Sequence, residues 1–267
     1  MRKFAAAAVA VVALCAFAGC GGSGNRHAAP PRRAGSPTKV KAKAPARHPI
    51  QTCHAGSEER VGTSRLAYAA IVRRRALAYR APGRRPFASF GRVNVNGAVN
   101  VFGVVGQVLR RDCSAGWYRI ELPIRPNGSW GYVKARAVEL SAIHTRIVVD
   151  LSARRLTFYR NGRPVLRAVA AVGAPATPTP TGRFYVNQRL IPSNPSGPWG
   201  PGAIGISAHS SVLQDSWTQG APIAIHGTDE PASIGHAASH GCIRLDNAVL
   251  QRLFARTPAG TPVIIRA

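Results

Sequence analysis

The sequence predicts a mainly β chain with one short helix in its C-terminal half. Three observations point there. From about residue 66 onward, short runs rich in Val, Ile and aromatic residues recur with partial alternation, as half-buried strands require. Glycines and turn pairs punctuate those runs, and Asn161-Gly162 is the favoured two-residue hairpin turn. Only the stretch after Asp246 places apolar residues at helical spacing. At 267 residues the chain has room for two compact units once terminal segments are set aside.

The N-terminus comes first. Arg2 and Lys3 precede an apolar stretch from Phe4 to Phe17, followed by Ala18-Gly19-Cys20. A basic start, a short apolar run and small residues make a secretory signal over residues 1–19, too short for a comfortable membrane-spanning helix. Ala18-Gly19-Cys20 also resembles a bacterial lipoprotein signal, which implies lipidation of Cys20 and an anchor in the bacterial cell membrane. Phe17 departs from that pattern, which prefers Leu or Val, so an ordinary signal peptide is the alternative. Either way the expected location is the extracytoplasmic cell envelope.

Residues 20–52 are rich in Ala, Pro, Arg, Lys and Gly, with almost no large apolar residue, and read as an extended tether. Residues 53–141 read as a β-rich module, with strands at Leu66–Val72, Val99–Val104, Trp117–Leu122 and Trp130–Val133 and a turn at Pro126–Ser129. The run from Val104 through Trp117 to Lys134 resembles the end of a bacterial SH3-like barrel, which implies a small β-barrel that either binds the wall or serves as a spacer.

Residues 142–267 form the second unit. Strands are expected at Thr145–Leu151, Arg155–Arg160, Pro164–Val172, Ala203–Ser207, Pro222–His226 and Pro262–Ile265. A proline-stiffened loop from Pro175 leads into a further strand at Phe184-Tyr185. Asp246 is placed to cap a helix running to Thr257, with Val249, Leu250, Leu253 and Phe254 on one face and Pro258 as its stop.

Charge and cysteines narrow the function. Against 36 Lys and Arg stand only 10 Asp and Glu, giving +26. Such an excess suits an anionic partner such as a carboxylate-rich wall polymer, although the Arg-, Ala- and Gly-rich composition is itself a sufficient cause. The charge is dispersed and forms no single basic helix or arm, so a nucleic-acid partner is not expected. Cys15 lies in the signal and Cys20 at the lipid site. Cys53 and Cys113 are the two spare cysteines, and in an oxidising compartment they are expected to pair.

Cys242 is left, in Ser239-His240-Gly241-Cys242-Ile243-Arg244. A thiol needs a proton acceptor or a nearby cation to act as a nucleophile, and His240, His226 and Arg244 supply both. Gly241 permits a tight backbone, so the amides of His240, Gly241 and Cys242 are the expected oxyanion hole. Arg244 suits a substrate carboxylate or a lowered thiol pKa.

Together with Ile225-His226-Gly227-Thr228 and the Pro-x-Gly-x-Phe segment Pro180–Phe184, this block resembles the L,D-transpeptidase catalytic domain of the YkuD type, over roughly Arg146 to Arg266. The resemblance implies a β-sandwich and acyl transfer on peptidoglycan stem peptides. In that scheme Cys242 is the nucleophile and His226 the general base, releasing D-alanine from a tetrapeptide stem. Water as acceptor would make a carboxypeptidase. The family implies acylation by carbapenems and needs no cofactor or metal. Some relatives carry serine after the histidine, which helps orient the ring; here only the Gly227 carbonyl is left to do so. Arg244, Ser239, Tyr185 and Trp199 are the candidate substrate contacts, with Ser239 also a hydrogen-bonding support. Trp217 is a further groove candidate, His209 and His236 are expected in surface loops, and the chain is expected to be a monomer.

Two other readings compete. His236-x-x-x-His240-x-Cys242 with His226 offers imidazole and thiolate donors for zinc, without a standard spacing. A wall-binding lipoprotein that has lost catalysis is the other.

Overall fold

The computed structural model describes residues 53–214 and 220–267, which belong to one compact unit, Pro49–Ala267. The signal, the tether, Cys20 and Trp217 lie outside the described residues.

The first sheet is antiparallel throughout. It comprises β1 (Glu58–Arg60), β2 (Ala67–Val72), β3 (Arg75–Tyr79), β4 (Pro86–Gly91), β5 (Val101–Leu109), β6 (Ala115–Glu121), β7 (Trp130–Lys134) and β8 (Val138–Ile143). Their order is β4-β3-β7-β6-β5-β2-β8, with β1 on β5. Its core is small and mixed: Ala70, Val72, Ala76, Ala78, Phe102, Ile120 and Val133 are buried together. Cys53 and Cys113 form a disulfide that closes a 60-residue separation, and Cys113 takes a positive φ of 62°. The β3–β4 hairpin was not expected. Its strands are flanked by Arg73-Arg74 and Arg84-Arg85, and Ala76, Ala78 and Ala88 are interspersed among its larger apolar residues, so the hydrophobic signal is weak.

The second sheet begins directly after His144. Its strands are β9 (Thr145–Asp150), β10 (Arg155–Arg160), β11 (Arg163–Val169), β13 (Gly182–Leu190), β14 (Ala203–His209), β15 (Pro222–His226), β17 (Ile243–Arg244) and β18 (Pro262–Arg266). They lie in the order β11-β10-β9-β18-β13-β14-β15-β17. A separate parallel pair joins β12 (Val172–Gly173) to β16 (Ala237–Ser239). The strand expected over Pro164–Val172 therefore stops at Val169. Ala170 and Ala171 are fully buried, and Ala171 exchanges backbone hydrogen bonds with Arg244 instead of continuing the hairpin.

Helix α1 (Asn247–Phe254) begins where Asp246 accepts hydrogen bonds from the Ala248 and Val249 N–H groups, at 3.0 and 3.2 Å. That cap satisfies two donors a helix leaves orphaned, a contribution of about 1 kcal/mol. The helix ends at Phe254, short of Thr257, whose hydroxyl turns back to the Leu253 carbonyl at 2.8 Å. Leu250 and Leu253 are buried with Ile225, Ile243 and Leu245, so the helix clamps the sheet just after Cys242.

Candidate active site

Register builds the site. Strands β15 and β17 run parallel with Ile225 opposite Ile243 and His226 opposite Arg244. Side chains alternate along a strand, so the two isoleucines face one way, into the core, where both are fully buried. Cys242, Arg244 and His226 therefore share the other face. Cys242 sits half-buried there, its Sγ accepting from the Ala224 N–H at 3.4 Å.

The imidazole is held on two sides. His226 Nδ1 lies 2.6 Å from the Gly227 carbonyl, and its ring packs at 4.6 Å against the indole of Trp199. A carbonyl only accepts, so Nδ1 carries the proton and Nε2 is left as the basic nitrogen. The Trp199 carbonyl in turn accepts from the Gly227 N–H at 3.0 Å. Asn247, at the start of α1, pins the turn by accepting from the Thr228 N–H at 2.8 Å and donating to the Thr228 carbonyl at 3.0 Å. A Cβ at position 227 would collide with Asn247 Oδ1 and lie 2.8 Å from Pro201 Cδ, which is why glycine stands there.

The Cys242 loop is braced from below. Ser239, almost fully buried, accepts from the Gly241 N–H at 3.1 Å and donates to the Cys242 carbonyl at 2.5 Å. Gly241 takes φ of +111°, a region closed to most side chains. From the proline-stiffened loop, Thr177 donates to the Ser239 carbonyl at 3.0 Å and Thr179 to the Gly241 carbonyl at 2.9 Å. Thr179 also accepts from the Gly173 N–H at 2.8 Å.

Burial decides the charges. His226 is held down to about 4, first by burial and with help from the Arg244 cation, against the pull of the Gly227 and Pro198 carbonyls and of Asp229. The Cys242 thiol is pushed up by burial, although the Ala224 N–H and Arg244 pull it down. The resting pair is thus thiol and neutral imidazole, which suits proton transfer during attack rather than a standing ion pair. Arg244 forms an ion pair with Glu230, while its Nε is buried without a partner.

Several expectations need correction. The Gly241 N–H is engaged by Ser239 Oγ, so it does not serve with His240 as an oxyanion donor in this arrangement. Ser239 points inward and supports the loop rather than meeting substrate. Tyr185 is 1% exposed and packs into the core of the first sheet with Phe102 and Ile120, because it sits on β13, two strands away from β15, where the first sheet covers that face. His209 ends β14 partly buried instead of lying in a loop. His236 and His240 are exposed, and among the described residues no group of three His, Cys, Asp or Glu is placed to hold a metal ion.

Thr177, Thr179, Glu230 and Asn247 were missed. Only Asn247 gave a signal, as a polar residue at the opening of a helix; the others act through loops that fold back across the chain.

The Bacillus subtilis protein named L,D-transpeptidase YkuD is 39% identical over 119 residues, covering 45% of this chain and 64% of that protein. The Escherichia coli protein named L,D-transpeptidase YbiS is 28% identical over 148 residues, covering 45% and 44%. The chain thus spans less than two thirds of the length of these relatives. The solution structure of the catalytic domain of an Enterococcus faecium L,D-transpeptidase aligns at 28% identity with a TM-score of 0.34, covering 46% of this chain and 96% of that one. Residues 144–265, the second sheet with its helix and the Cys242 loop, match the L,D-transpeptidase catalytic domain family, YkuD.

Proposed function

We propose that this chain is a cysteine-dependent L,D-transpeptidase acting on peptidoglycan stem peptides. The observation that carries the reading is the β15–β17 register, which sets Cys242, His226 and Arg244 on one face with the imidazole tautomer fixed by Gly227. His226 Nε2 takes the proton from Cys242 Sγ as the sulfur attacks the carbonyl preceding D-alanine in a tetrapeptide stem. The oxyanion meets the N–H groups of Cys242 and His240. On collapse the C–N bond breaks, His226 returns its proton to the departing D-alanine amine, and a thioester remains. A side-chain amine of a second stem then attacks, gives its proton to His226, and displaces the thiol as the cross-link forms. Water in the amine's place gives the trimmed stem instead. Arg244 supplies the cation for a substrate carboxylate. Carbapenems, which present a comparable carbonyl, acylate the same thiol.

In this reading residues 1–19 export the protein, lipid on Cys20 anchors it to the membrane, residues 20–52 give it reach, and the first sheet is an SH3-like module. The experiment is incubation with a disaccharide tetrapeptide, following free D-alanine and dimeric muropeptides. Both products appear with the wild-type chain and neither with Cys242→Ala. D-alanine without dimer identifies the carboxypeptidase, and neither product from active thiol identifies the non-catalytic wall binder.

A further inference from the structure

A cavity of about 650 Å³ opens between the two sheets, lined by neither Cys242 nor His226 nor Arg244. Its size falls within the about 300–1,000 Å³ of small-ligand sites. The first sheet contributes Arg60, Arg119 and Glu121, the loop between β1 and β2 contributes Arg65, and the second sheet contributes Arg146, Arg183 and Tyr185. Five arginines thus face one carboxylate. Glu58 pairs with Arg119 at 3.0 Å, leaving the other four without an ion pair among the described residues. Five guanidinium groups around one cavity repel one another, and a bound anion would relieve that repulsion.

Hydrogen-bond capacity tells the same story. The Tyr185 hydroxyl and the Nε atoms of Arg119 and Arg146 are buried without partners. These are donors, and native structures rarely leave such groups unsatisfied. Arg146 is held in place by stacking on Tyr159 at 4.7 Å, and Arg119 by stacking on Trp130 at 4.2 Å, so their guanidinium planes are oriented before any ligand arrives. Oriented guanidinium forks suit carboxylates, which they bind bidentately. Burial also pushes Glu121 up to about 7, so it can donate a proton to a neighbouring carboxylate at neutral pH.

We infer that this cavity is a second, non-catalytic site that binds a short acidic peptide through its carboxylates. The choice of peptide over a phosphate polymer rests on the bounded volume and on the proposed function, in which stem peptides with free carboxylates are what the chain meets. Bound there, a stem would hold the two sheets in one relation and keep the enzyme on its polymer between turnovers.

The test uses the full chain in detergent with Cys242 alkylated by iodoacetamide, titrated calorimetrically with a free stem tetrapeptide. One peptide binds per chain. Arg183→Glu, at an exposed position, weakens it at least ten-fold, and Arg183→Lys weakens it less. Unalkylated Arg183→Glu still forms the acyl-enzyme, which shows an intact fold and separates this site from the thiol site. A tetrapeptide with its carboxylates amidated binds at least ten-fold more weakly. Equal binding by wild type and Arg183→Glu, no binding to the alkylated chain, or competition by inorganic phosphate as strong as by the peptide would overturn the assignment. Failure of acylation alone would instead count against the proposed function and leave this site standing.

Discussion

The Nδ1 atom of His226 stands 2.6 Å from the carbonyl oxygen of Gly227, the residue that follows it. That contact fixes which nitrogen is basic, and burial keeps the ring neutral to about 4. Acylation by a stem peptide should therefore hold its rate as pH falls from 7 to 5 and lose half of it near 4. His226→Gln should lower the rate by about 10²–10⁴. Stopped-flow measurement of acylation across pH checks both; an acid limb near 6.5 would mean that burial does not hold the ring down, and an unchanged rate in His226→Gln would mean the ring is not the base.

The same shift has a stability consequence. The folded pKa lies below the unfolded value of 6.5, so the unfolded chain binds the extra proton, and stability falls as pH drops from 6.5 through 4. A difference of that size corresponds to about 3 kcal/mol. Chemical denaturation should show this loss in the wild type and its absence in His226→Gln.

Glu121 works in the opposite direction. Its folded pKa of about 7 exceeds the ordinary 4.5, so its contribution is fully present below 4.5 and is lost as pH rises through 7. Glu121→Gln, which stays neutral, should stabilise the protein at pH 8 by up to about 3 kcal/mol and change little at pH 4. Equal effects at both pH values would contradict burial of the carboxylate between the sheets.

Around Gly227 there is no room. Gly227→Ala should destabilise by about 1–3 kcal/mol through overpacking against Asn247 and Pro201. Asn247→Ala leaves the Thr228 N–H unpaired at a similar cost of about 1–3 kcal/mol. Thermal melts of the two variants check this, and in the double variant the costs should add only in part, because removing Asn247 relieves one clash while Pro201 and the Gly200 backbone remain.

Glu230 competes for Arg244. It is the exposed partner of the pair, so Glu230→Gln should free the guanidinium for a substrate carboxylate and lower KM several-fold with kcat little changed. Arg244→Ala should raise KM. A fall in kcat with unchanged KM in Glu230→Gln would show that the ion pair organises the thiol instead.

Legibility differed by the range over which each feature acts. The strands of the second sheet and the Asn161-Gly162 hairpin stood out because local alternation and turn chemistry agree there. Cys242, His226 and Arg244 stood out because their neighbours are unusual. What stayed hidden depends on distant register. Nothing near Tyr185 shows that the first sheet covers it with Phe102 or that two strands' distance keeps it from β15, and nothing near Ser239 shows that its hydroxyl bridges Gly241 and Cys242. The brace from Thr177 and Thr179 spans 62 residues, beyond any local pattern. The β3–β4 hairpin was missed for a simpler reason: alanines and flanking arginines carry little hydrophobic contrast.

The central claim is that the Cys242 thiol takes up the acyl group. The direct measurement is the intact mass of the chain after incubation with a stem tetrapeptide, beside Cys242→Ala. An increase equal to the stem less D-alanine, removed by hydroxylamine and absent from the variant, is the predicted result. An unchanged mass from protein whose thiol still alkylates, or an equal adduct on Cys242→Ala, would contradict it.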